Sequence, residues 1–431
     1  MLSFAKRSLV LLLVSTLALL FLLNYGLRHN IIARDQMSYG TESGQVSSRS
    51  FQSSTAESSD LVSASAESSD LVSASAESFD LVSASAESSD LVSASAQSSD
   101  RDVERQKLWL EIENSYQTQS KDHYLPKIIG IGTEKCGTFA LFNFLRPHPM
   151  IRMGRKLPEK LLNDDFVEDL EIEAHFFDAQ RNMSNLKAYY DKLPMAEEGA
   201  FVAEKSPAYF SFPPYFLPLA VRKVVPHTKL LLVLCDPVKR ALSDFHQEWA
   251  LLQVHRGPGN LVKYKNFTSF LDVYLPKMTQ EIGEWDETRT KYQILNVFRQ
   301  HGRDYLTTIL TTGLYALHLK RWFPYYDQSN LMIIDGGKLL SDPGPIIEEI
   351  QDFYDLPKLL LKEDYVRDPD TNYFCFKDWK TGELRRLPKS KQRTRNGKAK
   401  LTDEETVRLK SFYKTHNEAL FKMLNRTFNW M

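Results

Sequence analysis

Cysteine is scarce in this chain: only Cys136, Cys235 and Cys375 occur among 431 residues. Three thiols without a CxxC pair or a Cys/His spacing exclude a disulfide scaffold and a zinc framework, and they leave at least one thiol without an intramolecular partner. No metal site is expected. Net charge is scarce as well, since 54 Lys and Arg offset 55 Asp and Glu. The chain as a whole is therefore neither a polybasic binder nor an acidic tail. Also missing are the GxxxxGK[ST] string of nucleotide triphosphatases and a magnesium-holding carboxylate beside it, which argues against kinase-like phosphoryl transfer.

Long apolar runs are confined to the start. Ser8 to Leu27 carries no charge and only Asn24 as a strongly polar member; at roughly 1.5 Å per residue it just spans a bilayer core. We read residues 1–7 as a cytosolic tail and 8–27 as a signal-anchor. The alternative, a cleaved signal peptide with Lys6 and Arg7 as its basic region, lacks a small-x-small site after the apolar core. Lys6 and Arg7 favour a cytosolic N-terminus, against Arg28 and Arg34 on the other flank. This predicts a single-pass type II membrane protein with its bulk in the lumen, and a short span suits a thin Golgi bilayer. The sequons Asn182-Met-Ser, Asn266-Phe-Thr and Asn425-Arg-Thr fit a glycoprotein there. A ten-residue repeat close to AESSDLVSAS begins at Ala56, Ala66, Ala76 and Ala86. One Leu-Val pair per unit cannot bury a core, so residues 28–124 are expected to be a disordered, Ser-rich stem. A short-period β-solenoid would need turn glycines that are absent.

Residues 125–431 read as one α/β domain. Lys127-Ile-Ile-Gly-Ile-Gly132 is a buried strand running into a turn, and Thr138 to Leu145 has the apolar spacing of a helix. Leu230 to Leu234 and Leu331 to Ile334 are two more apolar strands, the first followed by Asp236-Pro237 and a helix with Ala241, Leu242 and Phe245 on one face. Uninterrupted apolar strands alternating with helices predict a central parallel sheet flanked by helices. Near the end, Thr402 with Glu405 forms a capping box, and Val407, Phe412, Tyr413, His416, Leu420 and Met423 line one helix face, with His416 as a satisfied face residue.

The turn after the first strand, Gly132-Thr-Glu-Lys135-Cys136-Gly137-Thr138, holds what an anion cradle needs: helix-start amides, a glycine, a Lys and a hydroxyl. Parallel-sheet proteins bind ligands at the carboxyl ends of strands, where this turn falls. Glu173-Ala-His175-Phe-Phe-Asp178, Glu204-Lys205-Ser206-Pro207-Ala-Tyr209-Phe210 and Asp236-Pro237-Val-Lys-Arg240-Ala-Leu-Ser243 follow in order. By itself Glu173 could be one more surface carboxylate of the acidic stretch that includes Asp164, Asp165, Glu168, Asp169 and Glu171. Arg385 to Lys400 contains eight Lys or Arg and no acid, and Arg152, Arg155, Lys156 and Lys160 form a second basic group. Such runs are usually solvated faces; an anionic ligand would give them a use, and a lumenal site argues against nucleic acid.

Together these segments resemble the heparan sulfate sulfotransferases, and most of all the glucosamine 3-O-sulfotransferases, over roughly Lys127 to Trp430. The resemblance implies a P-loop-kinase-like sulfotransferase fold, 3′-phosphoadenylyl sulfate as donor, and heparan sulfate or a related sulfated polysaccharide as acceptor. It implies that Lys135, Gly137 and Thr138 hold the 5′-phosphosulfate, Glu173 is the general base, and His175, Asp178 and Lys205 support it or contact substrate. Ser243 matches the hydroxyl on the 3′-phosphate, and Lys391 and Arg393 belong to a late basic loop over the nucleotide.

The chain departs from that pattern at three donor positions: Cys136 replaces a loop glycine, Phe139 replaces an arginine, and Cys235 replaces the arginine before Asp-Pro. Losing a charge-assisted phosphate contact costs about 1.5–3 kcal/mol, which Lys239, Arg240 or the late basic loop could offset. The late disulfide of the pattern is broken too, with Cys375 at one position and Arg386 at the other. Cys136 and Cys235 both fall at the carboxyl ends of predicted strands, and a bond between them is a hypothesis this placement raises. Extra residues between Pro149 and Glu171 lengthen the segment before Glu173.

Overall fold

The structure is a computed structural model that describes residues 87–154, 173–179, 185–212, 215–256, 266–288, 296–297, 305–387 and 400–430. The predicted anchor at 8–27, the repeats before residue 87, Asn182, and Lys391 and Arg393 lie outside the described residues. Among the described residues no helix is long and apolar enough to cross a membrane.

Two compact units divide the chain, and residues 35–108 form the smaller, whose described part is helical. That helix is α1 (Glu87–Gln117), which falls within the 28–124 segment read as stem. Its last turns belong to the larger unit, where Trp109 and Tyr116 are buried and Ile112 packs against the core. Those three apolar residues recur at helical spacing, which suffices to dock a helix against a sheet even beside Ser-rich sequence.

A five-stranded sheet organises the larger unit. Its strands are β1 (Ile128–Gly132), β2 (Ile151–Met153), β3 (Phe201–Lys205), β4 (Lys229–Leu234) and β5 (Leu331–Asp335). They pair in the order β2-β3-β1-β4-β5, every pair parallel. On β4, Leu230, Leu232 and Leu234 face a core with Tyr315, Trp322 and Leu420, while Leu231 and Val233 face one with Leu141, Phe142 and Ile347. Both faces are covered, which is why the strand reads as unbroken apolar sequence. Each such side chain contributes about 1.5–3 kcal/mol by burial. The expected strands are all present, whereas β2 and β3, short or interrupted by Arg and Glu, went unread.

Helix α2 (Thr138–Leu145) follows β1 as predicted. It lies so close that a Cβ on Gly130 would meet the Phe142 ring at 2.5 Å. From β1 the chain goes to the edge strand β2, steps back to β3 beside β1, then crosses to the other side for β4 and β5. That reversal opens a crevice beyond the carboxyl ends of β1 and β4, the usual ligand position in such sheets.

Three more helices brace this crevice: α4 (Pro237–Arg256), α5 (Phe267–Ile282) and α7 (Asp403–Leu424), sharing a core of Phe245, Phe270, Tyr274, Leu409 and Tyr413. Phe176–Ala179 forms the short helix α3, and Tyr315–Trp322 forms α6. The Thr402/Glu405 capping box opens α7, and His416 is satisfied by the Gly283 carbonyl at 3.1 Å, both as read. Val407 is exposed instead of buried, because the inward stripe is Leu409, Tyr413, His416 and Leu420. A separate antiparallel sheet joins β6 (Tyr365–Arg367), β7 (Phe374–Lys377) and β8 (Leu384–Arg385).

Candidate active site

Glu173, His175, Asp178 and Lys205 come together. The Lys205 ammonium, at the end of β3, bonds Glu173 Oε1. His175 Nε2 meets Glu173 Oε2 at 2.9 Å and His175 Nδ1 meets Asp178 Oδ2 at 2.8 Å. Carboxylates on both ring nitrogens call for two N–H donors, so the ring is an imidazolium. Burial opposes that charge, but Asp178 and then Glu173 outweigh it and raise the His175 pKa to about 10. For Glu173 burial works upward, but Lys205 and His175 hold the carboxyl down at about 2. Glu173 is thus ionised at every physiological pH, as a proton acceptor must be.

The turn after β1 supplies positive charge and helix-start amides. Lys135 has φ 68 and Gly137 φ 98, two left-handed residues that curl the backbone toward one side. Gly137 is the N-cap of α2 and offers no capping side chain to the first-turn amides, the group type that binds anions at helix starts. Lys135 Nζ bonds Gln247 Oε1 of α4 at 2.6 Å. Thr138 is buried at the helix start, and the Phe139 ring lies 6.0 Å from Lys205 Nζ, so Phe139 borders the carboxylate group without bringing charge to it. Glu134 links the two halves electrostatically: burial, Asp244 and Glu173 raise its pKa, with Lys135 opposing, to about 7. Glu248 on α4 is pushed to about 8 by burial, Asp244 and Glu134. As pH rises through those values the surroundings of Lys135 become more negative.

Cys136 and Cys235 form a disulfide with Cα atoms 5.3 Å apart, so the hypothesis raised by their placement holds. It ties the β1 turn to the end of β4 across the crevice. Tyr315 of α6 donates its hydroxyl to the Cys235 carbonyl at 2.9 Å, bracing the same corner. Arg240 cannot replace the missing arginine, because its guanidinium is 1% exposed and committed to Asp244 and the Ile309 carbonyl. Lys239 is exposed and 3.7 Å from Asp236. Ser243 is half-buried on α4, the helix that leaves Asp236. Arg152 is not a free basic residue either, since Glu197 takes it at 2.8 Å.

The model for the sulfotransferase domain matches residues 125–425, most of the chain. The chain belongs to the sulfotransferase domain family. Mouse heparan sulfate glucosamine 3-O-sulfotransferase 3A1 is 28% identical over 71% of this chain and 64% of its own length, so the match spans less than two thirds of that relative. Mouse bifunctional heparan sulfate N-deacetylase/N-sulfotransferase 4 is 30% identical over 71% of this chain and 30% of itself. A solved sulfotransferase from Alicyclobacillus acidocaldarius aligns with 71% of this chain and 98% of its own at 17% identity and a TM-score of 0.43.

Within this sulfotransferase domain, several site-building residues had no role assigned from sequence. Ser206, Tyr209 and Glu204 stand in the quoted Glu204-to-Phe210 string, yet only Lys205 was singled out there. Burial pushes the Glu204 carboxyl up to about 7, with Tyr189 and Ser206 bonded to it. Gln247 and Tyr315 carry no motif; only the packing of α4 and α6 reveals them.

Proposed function

We propose that this chain transfers a sulfuryl group from 3′-phosphoadenylyl sulfate to a hydroxyl of heparan sulfate, most specifically the 3-hydroxyl of a glucosamine unit. The observation that carries it is Glu173 held ionised between Lys205 and His175, beside the Lys135 turn. The names of the similar proteins support the acceptor class.

In this reading, Lys135 and the amides of the turn hold the phosphosulfate, and Lys135 balances charge that grows on the bridging oxygen as the S–O bond breaks. Glu173 accepts the proton of the incoming hydroxyl. A carboxyl held near 2 is a weak base, so it takes the proton late, once the oxygen has begun to bond sulfur and become acidic. His175 and Lys205 keep the carboxylate aimed, and little covalent work remains for the protein beyond placement. Ser243 and the late basic residues Lys391 and Arg393 are assigned to the nucleotide. The apolar run at 8–27 supports a Golgi membrane anchor, and the Cys136–Cys235 bond supports an oxidising lumen.

A second reading places the sulfuryl group on nitrogen, which the name of the 30% identical relative favours. Incubating the full chain with labelled donor and heparan sulfate, followed by disaccharide analysis, separates the two. Glu173→Gln is expected to lower kcat about 10²–10⁴-fold. An unchanged rate removes the base, and the absence of donor-dependent sulfation by the unaltered chain removes the activity.

A further inference from the structure

The carboxylate of Glu173 has its charge set by Lys205 and His175, but those ionic partners do not explain what fixes the backbone that carries it. His175 sits at φ 46, in the left-handed region. For a residue with a Cβ that conformation costs about 1–3 kcal/mol unless its surroundings impose it. Its own amide donates to Ser206 Oγ at 3.0 Å. The next two amides, Phe176 and Phe177, donate to the Tyr209 hydroxyl at 2.8 and 3.3 Å.

Phe176 and Phe177 open α3, and the first amides of a helix normally turn to a side chain just upstream. Here the acceptor is a tyrosine 33 residues further along the chain. The cap is therefore tertiary, and it joins the Glu173 segment to the stretch immediately following β3, the strand that bears Lys205. The acceptors are themselves held: Ser206 Oγ donates to Glu204 Oε2 at 3.3 Å, and Tyr189 donates to Glu204 Oε1 at 2.6 Å. Around these polar atoms the rings are packed tightly, Tyr209 against Phe177 at 5.5 Å and Tyr189 stacked on Phe176 at 4.4 Å. Tyr209 is fully buried, so its hydroxyl has no water to serve.

We propose that Tyr209 and Ser206, backed by Glu204 and Tyr189, are positioning residues that hold Glu173 against Lys205 and His175 in the geometry for taking the acceptor proton. This rests on the sulfotransferase reading above. Charge and placement are then set from the same short stretch: Lys205 fixes the ionisation of Glu173, and the hydroxyls beyond it fix the carboxylate's position.

Tyr209→Phe tests this, since it keeps the ring and removes only the oxygen. Expected are a kcat lower by about 10–100-fold, as a displacement on the order of 1 Å produces, and a donor KM within about twofold, because the Lys135 turn is untouched. The acid limb of the pH–rate profile should move upward as Glu173 escapes its cationic partners. His175 titration, followed by NMR without turnover, reads the same positioning: its pKa of about 10 should fall by about one unit or more. Should Tyr209→Phe fail to fold, Ser206→Ala, which frees a single amide, takes its place with the same expectations. An unmoved His175 titration and a kcat within about twofold of the parent overturn the inference. So does a parallel loss of kcat and donor affinity with an unmoved pH profile, which marks general loosening. If the unaltered chain fails to sulfate, the function falls, and the His175 titration still decides the positioning.

Discussion

At the carboxyl end of the parallel sheet, Cys136 and Cys235 join two turns 99 residues apart in sequence by a covalent bond. In the antiparallel sheet the joining is ionic: Arg386 reaches Asp368 at 2.7 Å and Asp370 at 2.6 Å, while Cys375, opposite that end of the hairpin, stays a buried free thiol bonded to the Val366 carbonyl. The resemblance read from sequence has the reverse arrangement, with arginine before Asp-Pro and a disulfide in the late hairpin. Set against that resemblance, one region carries a cross-link in place of a cation, and the other a cation in place of a cross-link. Against that pattern, the first region lacks a positive charge beside the crevice and has its two sides tied covalently. The second keeps the hairpin closed without an oxidant.

The strongest way to break this contrast is to open the covalent side. Cys136→Ser, or mild reduction of the unaltered chain, should destabilise the protein by about 4.7 kcal/mol if chain entropy governs so large a loop. It should also raise donor KM, because the β1 turn and the end of β4 are no longer tied. Thermal melts with and without reductant, beside donor titrations, measure both; salt should leave this difference unchanged. Next in size is Arg386→Ala, whose loss of melting temperature should shrink in part as salt rises and ignore reductant, since the Arg386–Asp370 pair is exposed and screened while Asp368 is buried. Hydrogen bonding from Arg386 leads the effects that hold the Asp368 carboxyl down at about 2. A depressed carboxylate contributes above its unfolded pKa and loses that contribution as pH falls toward its folded one. The Arg386→Ala difference should therefore fade below pH 4. The smallest net effect is expected from Arg386→Cys. Pairing of Leu384 with Lys377 and Arg385 with Phe376 continues to place residue 386 opposite Cys375, within the usual reach of a disulfide. Intact-mass analysis should show the thiol pair oxidised, with the lost ion pair offsetting most of the gain. Two free thiols would show that the register does not extend that far.

Much of this architecture was legible in the chain. Leu230 to Leu234 and Leu331 to Ile334 announce themselves because both faces of a parallel strand are covered, so burial alone dictates their composition. Phe201 to Lys205 does not: Glu204 and Lys205 are buried polar residues whose partners, Tyr189 and Glu173, are distant in sequence. The Trp109, Ile112 and Tyr116 stripe was hidden by its Ser-rich neighbour, and only contact with the sheet separates it from the repeats.

For the site the division is similar. Residue order marks Glu173, His175, Asp178, Lys205 and Lys135 as candidates only through the resemblance that their short strings carry, since by itself Glu173 could be one more surface carboxylate. Folding alone decides that Lys205 and His175 grip one carboxylate, that Cys136 meets Cys235, that Arg240 is spent in the core and that Tyr209 caps a helix from across the fold. Apart from the His175–Glu173 and Arg240–Asp244 contacts, these are interactions between segments tens of residues apart, whose strength depends on distance and burial, and the linear order of residues carries neither.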